Sequence, residues 1–231
     1  MWVKICANTS LEDAQLAIEA GADAIGFVFA ESVRRVTPTQ VRAITPKLSR
    51  NVEKYGVFVD TGFEEIAGIV EECGLTGVQF HGVNSPALAA NLREHLSKSQ
   101  AGGLVRILQV IHYGGDLEQQ LQRAQAASAI DGVLVDSRTA TLFGGTGRKF
   151  DWEAASATFR STASRLRMIL AGGLNPDNVG EAIRTLRPWG VDVASGVEAA
   201  PGRKDPAKVK LFVENARITA STSIFEVAVE S

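Results

Sequence analysis

The sequence is short of cysteine, of net charge and of long apolar runs, and each shortage removes a class of protein. Two cysteines, Cys6 and Cys73, in 231 residues make no disulfide framework, and no Cys-x-x-Cys or Cys/His ligand spacing occurs. That usage fits a reducing cytoplasm. A formal charge of −2 leaves no electrostatic footprint for nucleic acid or an anionic membrane, so neither is expected as a partner. No segment reaches the roughly 18 apolar residues of a spanning helix, and WVKICANTS near the start has neither a sustained apolar region nor a cleavage site. The chain reads as unexported, without a membrane segment. It also lacks a Pro/Gly/Ser-rich linker that would divide it, so one domain is expected.

What the chain does have is 45% hydrophobic residues, arranged as a short apolar run followed by a segment of helical period, eight times over. The strand candidates are WVKICA, AIGFVF, YGVFVD, GVQFHG, LVRILQVI, GVLVDS, RMILAGG and GVDVASG. Most are apolar on both faces, as strands covered on both sides must be. Helix starts are signalled at Ser10 with Asp13, Thr37-Pro38, Ser85-Pro86, Asn175-Pro176 and Asp205-Pro206, and Gly21 and Gly74 sit where a helix would stop. Asp60 and Thr61 read as the cap of the third helix. Eight such pairs in a row fit a closed (β/α)8 barrel better than an open sheet, which would advertise a GxGxxG turn after its first strand. The expectation is an α/β fold, a single TIM barrel over residues 1–217 with a C-terminal tail over 218–231.

In such a barrel the loops after the strands converge on one mouth, so the residues ending the strands carry the chemistry. The first strand ends on Cys6, the second leads to Ser32, Arg34 and Arg35, and the third and fourth reach Asp60 and His81. The sixth ends on Asp136, the seventh on Gly172 and Gly173, and the eighth on Asp192 with Ser195 and Gly196 beyond it. In AGGLN two glycines let the backbone approach a ligand closely, and ASGVE offers small residues that fit the start of a short helix. Backbone N–H groups there favour an anion, a phosphate above all. The other reading is that GG and SG only relieve crowding in tight turns. GGTGRKF at 144–150 lacks the Lys-Ser/Thr pair of a nucleotide-binding loop, and the long connection containing it reads as a lid.

Cys6 and Asp136 are the pair of titratable groups at the mouth. A thiol of ordinary acidity is only a few per cent thiolate at pH 7, and a cationic neighbour raises that fraction; Lys4, two residues back along the strand, shares the Cys6 face. A carboxyl group that is to act as an acid needs burial or other carboxylates to keep its proton. Such a couple is suited to moving a proton from carbon. Taken singly, Cys6 also reads as a core residue and Asp136 as a turn cap, while Arg34 and Arg35 are either a solvated pair or an anion clamp. Cys73 reads as structural.

The stretches VKICANTSLEDA, GADAIGFVFAESVRRV, GVQFHG, VDSRTATLFGGTGRKFDW, LAGGLNPDNV and VDVASGVEAAPGRKDPAKVKLFVENA, in that order, together resemble the phosphoribosylanthranilate isomerase family of tryptophan biosynthesis. The resemblance implies a TIM barrel of the ribulose-phosphate-binding type and an Amadori rearrangement of N-(5-phosphoribosyl)anthranilate with no cofactor and no metal. It implies Cys6 as general base and Asp136 as general acid, with Arg34 on the anthranilate carboxylate and Asp192 on substrate polar groups. Gly172 and Gly173, with Ala194, Ser195 and Gly196, would hold the phosphate. The implied partner is this small phosphosugar, and the implied assembly a monomer or weak homodimer. Three positions depart from the family pattern: Ala7 stands where glycine usually follows the cysteine, Val33 where proline or lysine is common, and Ala194 in place of a serine. A related phosphosugar barrel working with two aspartates is the nearest enzymatic rival, and Cys6 speaks against it. A non-catalytic binding barrel and a flavin barrel also fit the phosphate pocket.

Overall fold

A computed structural model describes residues 1–82, 86–98, 105–114, 116–136, 152–162 and 166–229. Eight parallel strands close into a barrel: β1 (Trp2–Ile5), β2 (Ala24–Val28), β3 (Glu53–Phe58), β4 (Gly77–His81), β5 (Arg106–His112), β6 (Gly132–Asp136), β7 (Arg167–Ala171) and β8 (Gly190–Val193). Each pairs with the next and β8 pairs back to β1, with Lys4 opposite Asp192 and Trp2 opposite Gly190. The helices are α1 (Leu11–Glu19), α2 (Pro38–Ile44), α3 (Phe63–Cys73), α4 (Pro86–Lys98), α5 (Leu117–Ala126), α6 (Trp152–Thr162), α7 (Val179–Leu186) and α8 (Pro206–Val229). After β8 a 3₁₀ turn, Ser195–Val197, leads into a small hairpin of β9 (Glu198–Ala200) and β10 (Arg203–Lys204).

Burial follows the layers that the sequence pattern implies. A large apolar cluster fills the space between strands and helices, drawing Ile5, Phe27, Phe80, Leu170 and Val191 from the strands and Phe159, Ile183 and Phe212 from the helices. A second, smaller cluster fills the barrel lumen with Ala24, Tyr55, Leu108, Val110, Leu134, Ile169 and Ala171, and Trp2 packs against it. Trp2 meets Tyr55 edge-on at 6.0 Å, a contact of about 0.5–1.5 kcal/mol beyond its buried area. Lys4 is wholly enclosed in this interior.

Several local signals act as expected. Ser10 accepts the Asp13 N–H at the start of α1, Thr37 and Gln40 form a reciprocal capping box on α2, and Asp205 receives the Ala207 and Lys208 N–H groups. Gly74 ends α3 in the left-handed conformation.

Others act differently. Asn175 does not open α7: its Oδ1 accepts from the Asp177 and Asn178 N–H groups, which forms a turn, and the helix begins at Val179. Asp60 adopts a φ of 49°, and Gly62 takes the cap of α3 without a side-chain bond.

The segment beginning at Ile218 is not set apart as a tail but continues α8 to Val229. It contains no glycine or proline to stop the helix, and its hydroxyls turn inward on it: Ser221 donates to Arg217 O at 3.0 Å and Thr222 to Ile218 O at 2.9 Å. Among the described residues no helix is long and apolar enough to cross a membrane. Ser85 and the connection 137–151, with GGTGRKF in it, lie outside the described residues.

Candidate active site

The C-terminal ends of the strands enclose one cavity, and the nine residues to which the family resemblance gives a role line it, whereas Arg35 and Asp60 do not. Cys6 enters just past β1, held there by its N–H on Val193 O at 2.8 Å, so the sulfur stands at the seam between the first and last strands. The next two residues lock it. Ala7 takes a φ of 61°, a conformation that costs an L-residue about 1–2 kcal/mol, and Asn8 closes the turn by donating from Nδ2 to Ile5 O at 2.8 Å and Gly26 O at 3.2 Å. The methyl of Ala7 therefore leaves the left-handed turn intact and stores strain in it.

Gly26 on β2 makes room for the sulfur: a Cβ there would lie 2.6 Å from Cys6 Sγ. Asp136 reaches the cavity from the end of β6, where its backbone oxygen accepts the Tyr113 N–H at 3.1 Å and its register neighbours are His112 and Ala171.

The two arginines separate. Arg34 lines the cavity and is held by Glu198 through two parallel bonds, Nε to Oε1 at 2.8 Å and Nη2 to Oε2 at 2.7 Å. A guanidinium bound along that edge still has its Nη1 side for a second carboxylate. Arg35 pairs with Glu31 on the exposed surface at 2.9 Å. Burial works to raise the Glu198 carboxyl, but the Arg34 hydrogen bond and the Lys204 charge outweigh it and hold it below the usual glutamate range. Lys204 is itself buried, 3.4 Å from Glu198 Oε1 and 3.1 Å from Ala194 O; burial pulls it below the ordinary lysine value.

Gly172 and Gly173 take φ values of 79° and 67°, which glycine alone adopts without strain, so the loop after β7 can turn its backbone toward the cavity. Asn178 Nδ2 steadies it by donating to Gly173 O at 3.0 Å. Across from it the chain after β8 enters the 3₁₀ turn, bringing Ala194, Ser195 and Gly196 to the same wall. Among the described residues, no group of three or more His, Cys, Asp or Glu side chains is arranged to hold a metal ion.

A family model described as N-(5'-phosphoribosyl)anthranilate (PRA) isomerase matches residues 3–215. The chain belongs to this isomerase family. A relative of the same name from Pelobacter propionicus is 40% identical over 222 residues, covering 96% of this chain and 98% of its own. The crystal structure of phosphoribosyl anthranilate isomerase from Thermotoga maritima superposes with a TM-score of 0.80 at 36% identity, covering 94% of this chain and 98% of its own. A structure of phosphoribosyl anthranilate isomerase in complex with reduced 1-(o-carboxyphenylamino)-1-deoxyribulose 5-phosphate is 35% identical, with a TM-score of 0.77, 94% coverage of this chain and 98% of its own.

In this isomerase several groups in and around the cavity go beyond those the sequence singled out. Lys4 and Gln79 are polar residues inside apolar strands, and that break in pattern is the signal by which their inward position is legible. His81, at the end of β4, lines the cavity with its ring 5.5 Å from that of His112. Glu198 carries no local signal for its arginine, because Arg34 lies 164 residues away, and Lys204 reaches Glu198 only through the fold of the β9–β10 hairpin.

Among the described glycines Gly196 has the least room for a side chain: a Cβ there would sit 1.8 Å from Leu174 O, a backbone atom that cannot swing aside. Gly196→Ala is therefore expected to push the loops after β7 and β8 apart and lower stability by about 1–3 kcal/mol, as read by urea unfolding.

Proposed function

We propose that the chain converts N-(5-phosphoribosyl)anthranilate into 1-(2-carboxyphenylamino)-1-deoxyribulose 5-phosphate, with Asp136 as general acid and Cys6 as general base. Asp136 gives its proton to the ribose ring oxygen while the C1′–O bond breaks and the anthranilate nitrogen supplies the electron pair, forming a protonated Schiff base. The Cys6 thiolate then takes the proton from C2′. The C–H electron pair moves into a C1′–C2′ double bond and the iminium pair returns to nitrogen, giving an enolamine that tautomerises to the ketone.

The observation that carries this reading is that Cys6 and Asp136 open onto one cavity whose far wall is built by two glycine-containing loops. Acid and base on one substrate from separate strands is what two successive proton transfers, at the ring oxygen and at C2′ on either side of C1′, require. The phosphate fits between Gly172-Gly173 and Ala194-Ser195-Gly196, where backbone N–H groups are the natural donors for an anion. Asp192 has one oxygen on Lys4 and its second available to a sugar hydroxyl. Unpaired Cys6 and Cys73 fit a reducing cytoplasm, and single scattered exposed apolar residues such as Val33 and Ile218 fit a monomer or weak homodimer.

The test is a fluorescence assay with freshly prepared phosphoribosylanthranilate. Loss of the substrate's emission faster than in buffer is the expected result; a rate equal to that in buffer defeats the reading. Arg34→Ala should raise KM by about 10–100-fold with kcat changed far less, since a charge-assisted pair contributes about 1.5–3 kcal/mol to binding. An unchanged KM would remove Arg34 from the carboxylate. Glu198 loses its partner in that variant, so Glu198→Gln is the companion that separates substrate binding from local stability.

A further inference from the structure

A lysine ammonium has three protons to place, and in a site closed to water each needs an acceptor. For Lys4, one goes to Asp192 Oδ1 at 2.7 Å on the neighbouring strand β8, and one crosses the lumen to Gln79 Oε1 at 2.9 Å on β4. The group that faces the remaining side of Nζ is the Cys6 sulfur, which lies with it around the Gly26 backbone. Lys4 and Cys6 are two residues apart on the same strand and so share a face, and Gly26 on β2 leaves the space in which they meet. A Cβ at Gly26 would stand 2.6 Å from the sulfur and 3.2 Å from both Lys4 Cε and Nζ. Two acceptors on different strands thus fix the ammonium with one edge toward the thiol.

We propose that Lys4 is a positioning residue of this reaction: held by Asp192 and Gln79, its ammonium supplies the positive charge that makes a buried Cys6 thiolate available as the base. The proposal rests on the reading of Cys6 as that base. Without a counter-charge, a thiolate in this site would be paying full desolvation beside the Asp192 carboxylate. Burial pushes the Cys6 thiol above its ordinary value, Lys4 is the largest influence pulling it down, and Asp192 pushes it up again. Lys4 keeps its charge: burial works against it, but Asp192 and Cys6 outweigh burial and hold it above the usual lysine value.

The other charged groups around the sulfur come from several elements. Lys204 on β10 also favours the thiolate, and Arg34 after β2 is coupled to it with the same sign. Glu31, His81 on β4 and Asp136 on β6 line the same cavity, and Glu198 on β9 is engaged by Arg34 and Lys204. Of these cations, Lys4 has the strongest pull toward the thiolate.

The test uses a Cys73→Ser background, which leaves Cys6 as the sole thiol of the chain. The rate of Cys6 alkylation by iodoacetamide is followed against pH by intact mass, alongside the pH profile of kcat/KM. In Lys4→Gln the alkylation midpoint should rise by about one to three pH units, and the rising limb of kcat/KM should move with it. Gln79→Glu keeps the lysine and its bond but adds a competing negative charge, and its midpoint should also rise; it carries the test if Lys4→Gln does not fold. A folded variant of either kind with an unmoved midpoint overturns the proposal, even if activity falls. A midpoint that rises while the kcat/KM limb stays in place overturns the Cys6 base itself, and with it the role given to Lys4 in the reaction.

Discussion

Asp136→Asn is expected to reduce kcat by about 10²–10⁴-fold or more while the protein keeps its fold and its affinity for phosphosugars. Asparagine has nearly the shape of aspartate and makes similar hydrogen bonds, but its amide has no acid proton to give to the ring oxygen. Ring opening would then have to expel an unprotonated alkoxide, the step for which an acid is most needed. The strand around Asp136 should tolerate the exchange, because its backbone pairing with β5 and β7 and the bond from the Tyr113 N–H do not involve the side chain. Steady-state kinetics with circular dichroism and a melting curve check the two halves separately. Retained turnover in a folded variant would move the acid to another residue.

Cys6→Ser should be nearly as damaging, about 10²–10⁴-fold in kcat/KM, because a serine hydroxyl is far less readily ionised than a thiol. The sulfur also makes a second prediction, in the unmodified enzyme. Since burial holds the Cys6 thiol above its ordinary value, the base is mostly protonated in the free enzyme at neutral pH. The sign follows: kcat/KM should climb as pH rises, with its limb above the roughly 8.5 of a free cysteine. In Cys6→Ser that limb should vanish, leaving a low and flat profile. A wild-type profile already level at pH 7 would mean that the thiolate is reached by another route.

Much of this fold is legible because parallel strands with both faces covered must be nearly continuous in apolar residues, and each of the eight runs read as strands overlaps one. Once the barrel is inferred, topology alone sends Cys6, Asp136 and Gly172-Gly173 to a common mouth, so their meeting needs no contact information. Their roles were supplied by family resemblance and not by spacing. What escaped was set by long-range partners. Glu198 follows an ordinary valine in sequence, and its bidentate partner Arg34 lies 164 residues away. Asn175-Pro176 carries a helix-start signal, yet the Asn175 side chain makes a turn and the start passes to Asn178. The length of α8 was missed because β-branched and hydroxyl residues are weak helix formers by propensity, whereas here their hydroxyls bond back to the preceding turn.

The seam between β1 and β8 has a bearing on how the protein is made. Asp192, the carboxylate partner of Lys4, is made 188 residues after it, and Arg217, which bonds to the Met1 carbonyl oxygen and to Asp23, later still. Until then the nascent β1 carries a cation without this counter-ion, which disfavours its burial in a premature core. Closure of β1 with the lysine inside is thus favoured once β8 is available to pair with it, and the sulfur gains its electrostatic setting in the same step.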